Sequence, residues 1–184
     1  MEHNILLETP RLLLRKKMVK DAPFFFELNS DPLVTRYTGD GAFKDLQEAE
    51  EIVRYVIGQY EKYGYGRWLV IEKETGNPIG WCGLKYLEES GETDLGYRLM
   101  QKYWGKGYAT EASMACLEYG FNILNLDRII GRAVKENVDS IKVLKKTGMT
   151  FCKEEMCHKH EAFIYELKKE NFKQYATHAT VTIN

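Results

Sequence analysis

A pair of glycines at a strand-to-helix junction is the feature that most constrains this fold. The stretch "YWGKGYATEA", residues 103–112, follows the alternating run "TDLGYRLM" and opens a segment rich in small residues, "ASMACLEYGFNIL". The first N–H groups of a helix lack partners inside the helix and carry about half a positive charge. Gly105 and Gly107 remove Cβ atoms that would block an anion there, and Lys106 adds charge. The pattern predicts a phosphate group, specifically a pyrophosphate, on the backbone of residues 104–110.

The elements around this junction predict a mixed α/β fold. Two β-rich runs joined at Gly76 and Asn77 indicate a hairpin, and the run before the glycines adds a third antiparallel strand. Asp21, Asp45 and Asn137 are the expected N-caps of three helices. The predicted order is β-α-α-β-β-β-α-β-α-β-β. This order favours one mostly antiparallel central sheet with helices on both faces.

Length and charge bound the function classes. The chain has 184 residues and a net charge of −1, so neither nucleic acid nor an anionic membrane is an expected partner. A run of about 18 apolar residues, as a membrane-spanning helix needs, does not occur. We predict a cytoplasmic protein with a single domain over residues 1–172. The tail, residues 173–184, is expected either to be loose or to add an edge strand to a partner copy in a homodimer.

The cysteines follow no disulfide framework and are expected to be reduced and mostly buried. The stretch "CKEEMCHKH" brings Cys152, Cys157, His158 and His160 together. Its spacing runs along two strands and a turn instead of forming a CxxC knuckle, so we predict no metal site.

Three separate motifs carry a family resemblance. The chain lacks the GxxxxGK[ST] of nucleoside-triphosphate loops, and its glycine pair does not follow a first parallel strand as a dinucleotide fold requires. The run "LGYRLMQKYWGKGYATEA" followed by "RIIGRAVKENVDSIKVLKKTGM" resembles the GNAT superfamily of N-acetyltransferases. The opening "LLETPRLLLRKKMVKDAPFFFELNSDPLVTRYTG" is typical of the branch that contains the ribosomal-protein N-terminal acetyltransferases. The resemblance covers about residues 5–170.

This resemblance implies the GNAT fold and acetyl-CoA as the co-substrate. It implies backbone contacts to the pyrophosphate, main-chain pairing with the pantetheine arm at the end of a splayed strand, and an N-x-x-S pair near the sulfur. The pyrophosphate contacts would come from Trp104, Gly105, Lys106, Gly107, Tyr108, Ala109 and Thr110. The pantetheine arm would pair with Leu99 and Met100, and Asn137 and Ser140 would form the N-x-x-S pair.

Acetyl transfer to an amine needs a neutral amine, a polarised carbonyl and a stabilised or protonated thiolate. Asp94, on the strand that leads to the glycines, is the first candidate for the base, and Glu136, acting through a water, is the second. The alternative is that Asp94 is an exposed carboxylate at a strand edge and that Glu136 is simply solvated. Many superfamily members use a tyrosine as the acid four residues before the glycine of "TGM", where this chain has Leu144. Ser140, another group or water is then left to deal with the thiolate.

The acceptor is left open by the sequence. A protein N-terminal amine, a polyamine or other small amine, and an amine-bearing drug all fit, and the branch resemblance favours the first. Aromatics at strand spacing are usually core residues, but four side chains are candidates for lining the acceptor pocket: Tyr37, Trp68, Trp81 and His158. The rival interpretations are a non-catalytic module that binds or senses acetyl-CoA and an unrelated nucleotide-binding domain.

Overall fold

The computed structural model describes residues 5–39, 41–157, 159–172 and 180–181, and within these ranges one sheet is covered by helices. The strands are β1 (Ile5–Glu8), β2 (Leu12–Arg15), β3 (Arg67–Glu72), β4 (Pro78–Leu87), β5 (Glu92–Leu99), β6 (Arg128–Val134), β7 (Thr150–Cys157), β8 (His160–Lys168) and β9 (Thr180–Val181). The α-helices are α1 (Ala22–Ser30), α2 (Pro32–Thr35), α3 (Leu46–Tyr63), α4 (Tyr108–Asn122) and α5 (Val138–Lys146).

One neighbouring pair of strands is parallel, and it separates after a short contact. The strand order is β7-β8-β6-β5-β4-β3-β2-β1-β9, and the described pairs are antiparallel except β5 with β6. Among the described residues, β5 and β6 pair only at Asp94 with Ile130 and at Leu95 with Gly131. Beyond this point β5 stays bonded to β4 and β6 stays bonded to β8. The sheet therefore opens into a split between β5 and β6.

Strand alternation directs two apolar clusters to opposite faces of the sheet. Trp68 and Val70 belong to the cluster that includes the buried side of α4, and the ring of Trp68 meets Tyr119 edge-on at 5.2 Å. Leu69, between them, packs in a second cluster with residues of α1, α2 and α3. Helices cover both faces, which confirms the predicted fold class.

The helix boundaries follow the capping signals with one exception. Asp45 accepts a hydrogen bond from the Glu48 N–H at 2.9 Å, and Asn137 accepts one from the Ser140 N–H at 3.1 Å. Asp21 stands at the N-cap of α1, as predicted, but its side chain makes no capping hydrogen bond to this helix. Its carboxylate instead forms a buried bidentate ion pair with Arg15, at 2.7 and 2.8 Å. A charge-assisted pair of this geometry is stronger than a bond to one neutral N–H group, so the guanidinium takes the carboxylate.

The remaining differences concern short elements. The sequence predicts neither β1 nor α2, both of which have four residues. In the tail, Thr180 and Val181 pair with Glu8 and Leu7 of the same chain, not with a partner copy. Residues 173–179 and 182–184 lie outside the described residues, and the domain boundary at 172 stays a prediction. In the described part of the chain, the helices are too short or too polar to cross a membrane.

Candidate active site

The edge of β5 that faces the split presents main-chain hydrogen-bonding groups. The N–H of Met100, just after β5, donates to the carbonyl of Ile79 on β4, at 2.9 Å. Along a strand, successive residues turn their N–H and C=O groups to opposite sides. Tyr97 and Leu99 therefore direct their main-chain groups away from β4 and towards the split, where an extended ligand arm could pair with them.

This geometry changes one of the two predicted pantetheine contacts. Both main-chain groups of Met100 are used inside the protein, because its carbonyl accepts from the Tyr103 N–H at 2.9 Å. The carbonyl of Leu99 accepts from Nε1 of Trp104 at 2.8 Å, which ties the glycine turn to the end of β5. Leu99 keeps its N–H on the split side. The main-chain groups of Tyr97, two residues earlier, lie on the same edge of β5.

The glycine turn has the backbone that an anion site requires. Gly105 and Gly107 have φ values of +73° and +82°, a region that favours glycine, and a Cβ atom at Gly105 would have no atom within 4 Å. Gly107 is the N-cap of α4 and no side chain caps this helix. Tyr108, Ala109 and Thr110 form its first turn, so their N–H groups lie at the open, positive end of α4.

Arg11, in the turn between β1 and β2, holds the glycine turn in place. The main-chain N–H and the Nε of Arg11 both donate to the carboxylate of Glu111, at 2.9 and 2.6 Å. Nη1 of Arg11 donates to the carbonyl of Lys106 at 2.9 Å. Arg11 thus fixes the loop and offsets the negative charge that Glu111 brings to the first turn of α4. Arg11 and Glu111 are 100 positions apart, so no local pattern in the sequence pairs them.

A tyrosine that the sequence reasoning missed lies beside the predicted serine. The hydroxyl of Tyr97 on β5 donates to Oγ of Ser140 on α5 at 3.3 Å. Burial raises the pKa of Tyr97 to about 12, although the bond to Ser140 opposes the rise. Leu144, at the position where the family resemblance implies a tyrosine, is buried in the core against Gly131. Residues two apart on a strand point their main-chain groups to the same side. Leu99 was already a candidate for a pantetheine contact, so the same reasoning could have indicated Tyr97.

Asp94 lies where β5 and β6 separate, but its carboxylate is engaged. Oδ2 accepts from Nη2 of Arg67 at 2.9 Å, and Oδ1 accepts from Nε of Arg132 at 3.3 Å. The side chain is 5% exposed. Glu136 lies on the exposed segment between β6 and α5, beyond the end of the strand. The structure therefore does not bring the two predicted bases together, and it gives Asp94 two ion-pair partners.

The four predicted acceptor residues have different surroundings. Trp81 packs on the α1 and α3 face, with Cζ of Arg67 4.6 Å from its ring centroid. Tyr37 is half-buried in the turn after α2. The prediction for Trp68 is wrong, because its side chain is fully buried beneath α4, and alternation alone does not tell which face of a strand is open. His158 lies outside the described residues.

The cysteines offer no evident nucleophile. Cys82 and Cys116 are buried with their sulfur atoms 3.6 Å apart, and burial raises the pKa of the Cys116 thiol. Cys152 and Cys157 are half-buried on β7. Within the described ranges, which exclude His158, no three His, Cys, Asp or Glu side chains gather as metal ligands would.

Comparison with known proteins settles the family. Residues 11–150 match the model of the acetyltransferase (GNAT) domain. The chain belongs to the GNAT acetyltransferases. It is 36% identical over 156 residues to the N-acetyltransferase p20 of Bacillus licheniformis, covering 84% of this chain and 86% of that protein. Enzymes of the GNAT family use acetyl-CoA.

Solved structures share the fold of this GNAT protein. The crystal structure of a GNAT-family acetyltransferase from Bacillus anthracis matches with a TM-score of 0.78 and 29% identity, over 90% of this chain and 99% of that one. Spermidine N-acetyltransferase from Vibrio cholerae, in complex with CoA and spermine, matches with a TM-score of 0.74 over 88% of this chain and 97% of that one. At 20% identity, the second match shows the fold alone.

Proposed function

We propose that this protein moves the acetyl group of acetyl-CoA directly to a primary amine within a ternary complex. The acceptor is a small-molecule amine or a protein N-terminus, and the location is cytoplasmic. The observation that carries the proposal is the split between β5 and β6, which runs into an uncapped, glycine-lined helix end. A homodimer stays a prediction.

The residues present fit acetyl-CoA. The turn from Gly105 to Gly107 and the first N–H groups of α4 would hold the pyrophosphate, with no Cβ atom in the way at Gly105. The main-chain groups of Tyr97 and Leu99 on the split would hold the pantetheine arm as a neighbouring strand would. The side-chain oxygen of Asn137 already caps α5, so its amide N–H groups are the ones available to the arm. When bound, acetyl-CoA supplies the activated acetyl thioester.

Tyr97 and Ser140 are the proposed route for the proton that the leaving sulfur needs. A phenol whose pKa is raised by burial keeps its proton throughout the neutral range. Tyr97 would donate this proton directly or through the hydroxyl of Ser140. This pair would replace the tyrosine whose usual position is taken by Leu144.

The nucleophile in this proposal is the acceptor amine itself. Cys82 and Cys116 lie in the core, so an acyl-enzyme on either thiol has no support from the structure. Asp94 acts in the proposal by holding Arg67 and Arg132 at the split, and Glu136 is the candidate that takes the amine's proton through water.

Thiol release from acetyl-CoA tests the proposal. The panel consists of peptides with free N-termini, spermidine, an aminoglycoside and free amino acids, with a no-acceptor control. We expect release above the control with one acceptor class. If the protein binds acetyl-CoA and no acceptor increases release, the proposal of catalysis is contradicted, and a non-catalytic module that binds acetyl-CoA becomes the better account.

A further inference from the structure

Positive charge lines the face of the split that carries α1 and α3. Arg67 on β3 and Arg132 on β6 share the carboxylate of Asp94, so two guanidinium groups are offset by one negative charge. The carboxylate is 5% exposed, whereas the side chains of Arg67 and Arg132 are 26% and 28% exposed. A molecule that approaches this cluster therefore meets the guanidinium groups and not the carboxylate.

Arg67 is held in place but keeps hydrogen-bonding capacity. Its side chain passes over Gly96, where a Cβ atom would lie 2.8 Å from Nη2, and its guanidinium stacks on Trp81. Only Nη2 is used by Asp94. Nε is buried and out of reach of a ligand, so the Nη groups are the ones that an oxyanion would meet. A planar guanidinium fixed in this way is suited to bind an oxyanion through two parallel N–H groups.

A buried lysine lies on the same face of the sheet, close to Arg67. Lys17 contacts the same tryptophan, with Nζ 5.4 Å from the ring centroid of Trp81. Burial lowers the pKa of Lys17 well below its usual value, and the nearby Arg67 and Arg98 lower it further. Asp21 opposes part of this shift. It is the placement of Arg67 and Arg132 around a single carboxylate that disfavours a polycation at this site.

We propose that the acceptor amine carries an oxyanion, a carboxylate or a phosphate, which Arg67 and Arg132 bind on the α3 face of the split. This inference rests on the proposed function and narrows its substrate class. The guanidinium groups would have a second effect. Their positive charge would lower the pKa of the acceptor's ammonium group, so that more of the amine is neutral and nucleophilic. Spermidine, which has no anionic group, is a poor acceptor on this account.

Calorimetric titration of the protein–CoA complex tests this without requiring turnover. The probes are matched pairs that differ in the anion: γ-aminobutyrate and its carboxamide, β-alanine and its carboxamide, and O-phosphoethanolamine and ethanolamine. We expect the anionic member of at least one pair to bind about 10-fold or more tightly than its neutral partner, as a charge-assisted hydrogen bond would give. The carboxylate and phosphate pairs distinguish the two anions.

Three variants locate the effect. In Arg67→Gln the preference should fall to within about 3-fold, because the bidentate donor is lost while CoA binding is untouched. Gly96→Ala, which keeps every charge but displaces the guanidinium, should reduce it as well. The control is Arg54→Gln, which removes the same charge from the exposed face of α3 and should keep the preference.

The inference would be overturned if the neutral members bound as tightly as the anionic members in every pair, or if spermidine bound as tightly as the anions. It would also be overturned if Arg67→Gln kept the full preference for the anion. If the anion preference is found but no acceptor causes thiol release, the inference about binding stands and the proposed catalysis fails.

Discussion

Tyr97 is the residue on which the proposed chemistry depends most. Its hydroxyl lies 3.3 Å from Oγ of Ser140 and its main-chain groups face the split. The sequence reasoning found Ser140 through a local motif and missed Tyr97, since these two residues come from a strand and a helix 43 positions apart. Such a pair becomes visible only when the strand is placed beside the helix.

Replacing Tyr97 with Phe should lower kcat for acetyl transfer by about 100-fold, because general acids typically contribute 10²–10⁴-fold. The affinity for acetyl-CoA should change little, since the main-chain contacts of residue 97 remain. Steady-state kinetics and a binding titration check both expectations. A Tyr97→Phe protein with wild-type kcat would assign the proton to Ser140 or water instead.

The pH dependence of the free energy of unfolding tests whether Lys17 is a buried, destabilised charge. Its pKa is lowered in the folded protein by burial and by Arg67 and Arg98, while the unfolded chain has the ordinary value of about 10.4. Between the two values the unfolded state binds more protons, so this residue makes stability rise with pH through that window. Below the folded-state pKa, Lys17 is charged in both states and lowers the free energy of unfolding by its full amount.

Lys17→Met should therefore be more stable than the wild type at pH 6, and the difference in unfolding free energy should shrink as the pH rises towards 10. Urea unfolding of both proteins across this range measures the difference, in which the other titrating groups largely cancel. A difference that does not change with pH would show that Lys17 acts through packing alone.

At the scale of elements, a matched pair of variants can show whether the glycine turn binds acetyl-CoA or only shapes the backbone. Gly105 in the turn and Gly64 at the end of α3 have φ values of +73° and +80°, and a Cβ atom at either would meet nothing within 4 Å. An alanine should cost about 1–2 kcal/mol of stability at both positions through backbone strain.

Only Gly105→Ala should also weaken acetyl-CoA binding, by about 10-fold or more, because a shift of 1.4 kcal/mol at the pyrophosphate is enough for that change. Thermal melts compare the two variants in stability, and calorimetric titration compares their affinity. Equal affinities in Gly105→Ala and Gly64→Ala would remove the turn from the binding site.

The elements also show what the sequence can and cannot supply. The capped helix α3 and the hairpin of β3 and β4 are recognisable because their periodicity and turn residues are local. The order of elements along the chain could be predicted from these local patterns, but the order of strands within the sheet could not. The ion pairs of Asp94 join residues 27 and 38 positions away, so neither Arg67 nor Arg132 was a candidate. Trp68 and Trp81 have the same strand pattern and lie on opposite faces, which local pattern cannot distinguish.

At the scale of the whole molecule, the proposed function assigns different steps to the two faces of the sheet. Tyr97, Ser140 and the glycine turn lie on the side of α4 and α5, where the sulfur would be protonated. Asp94 with its two arginines lies on the side of α1 and α3, where the acceptor would enter. The opening between β5 and β6 is the passage through which the acetyl group would meet the amine.

Amide hydrogen exchange with and without acetyl-CoA tests this arrangement most directly. We predict that acetyl-CoA slows exchange at residues 105–110 and at Tyr97 and Leu99, while the outer strands β1, β2 and β7 remain unchanged. Protection centred elsewhere, for example on the cleft lined by Lys16, Ile57 and Tyr60, would contradict the account, as would binding of acetyl-CoA without protection of the turn.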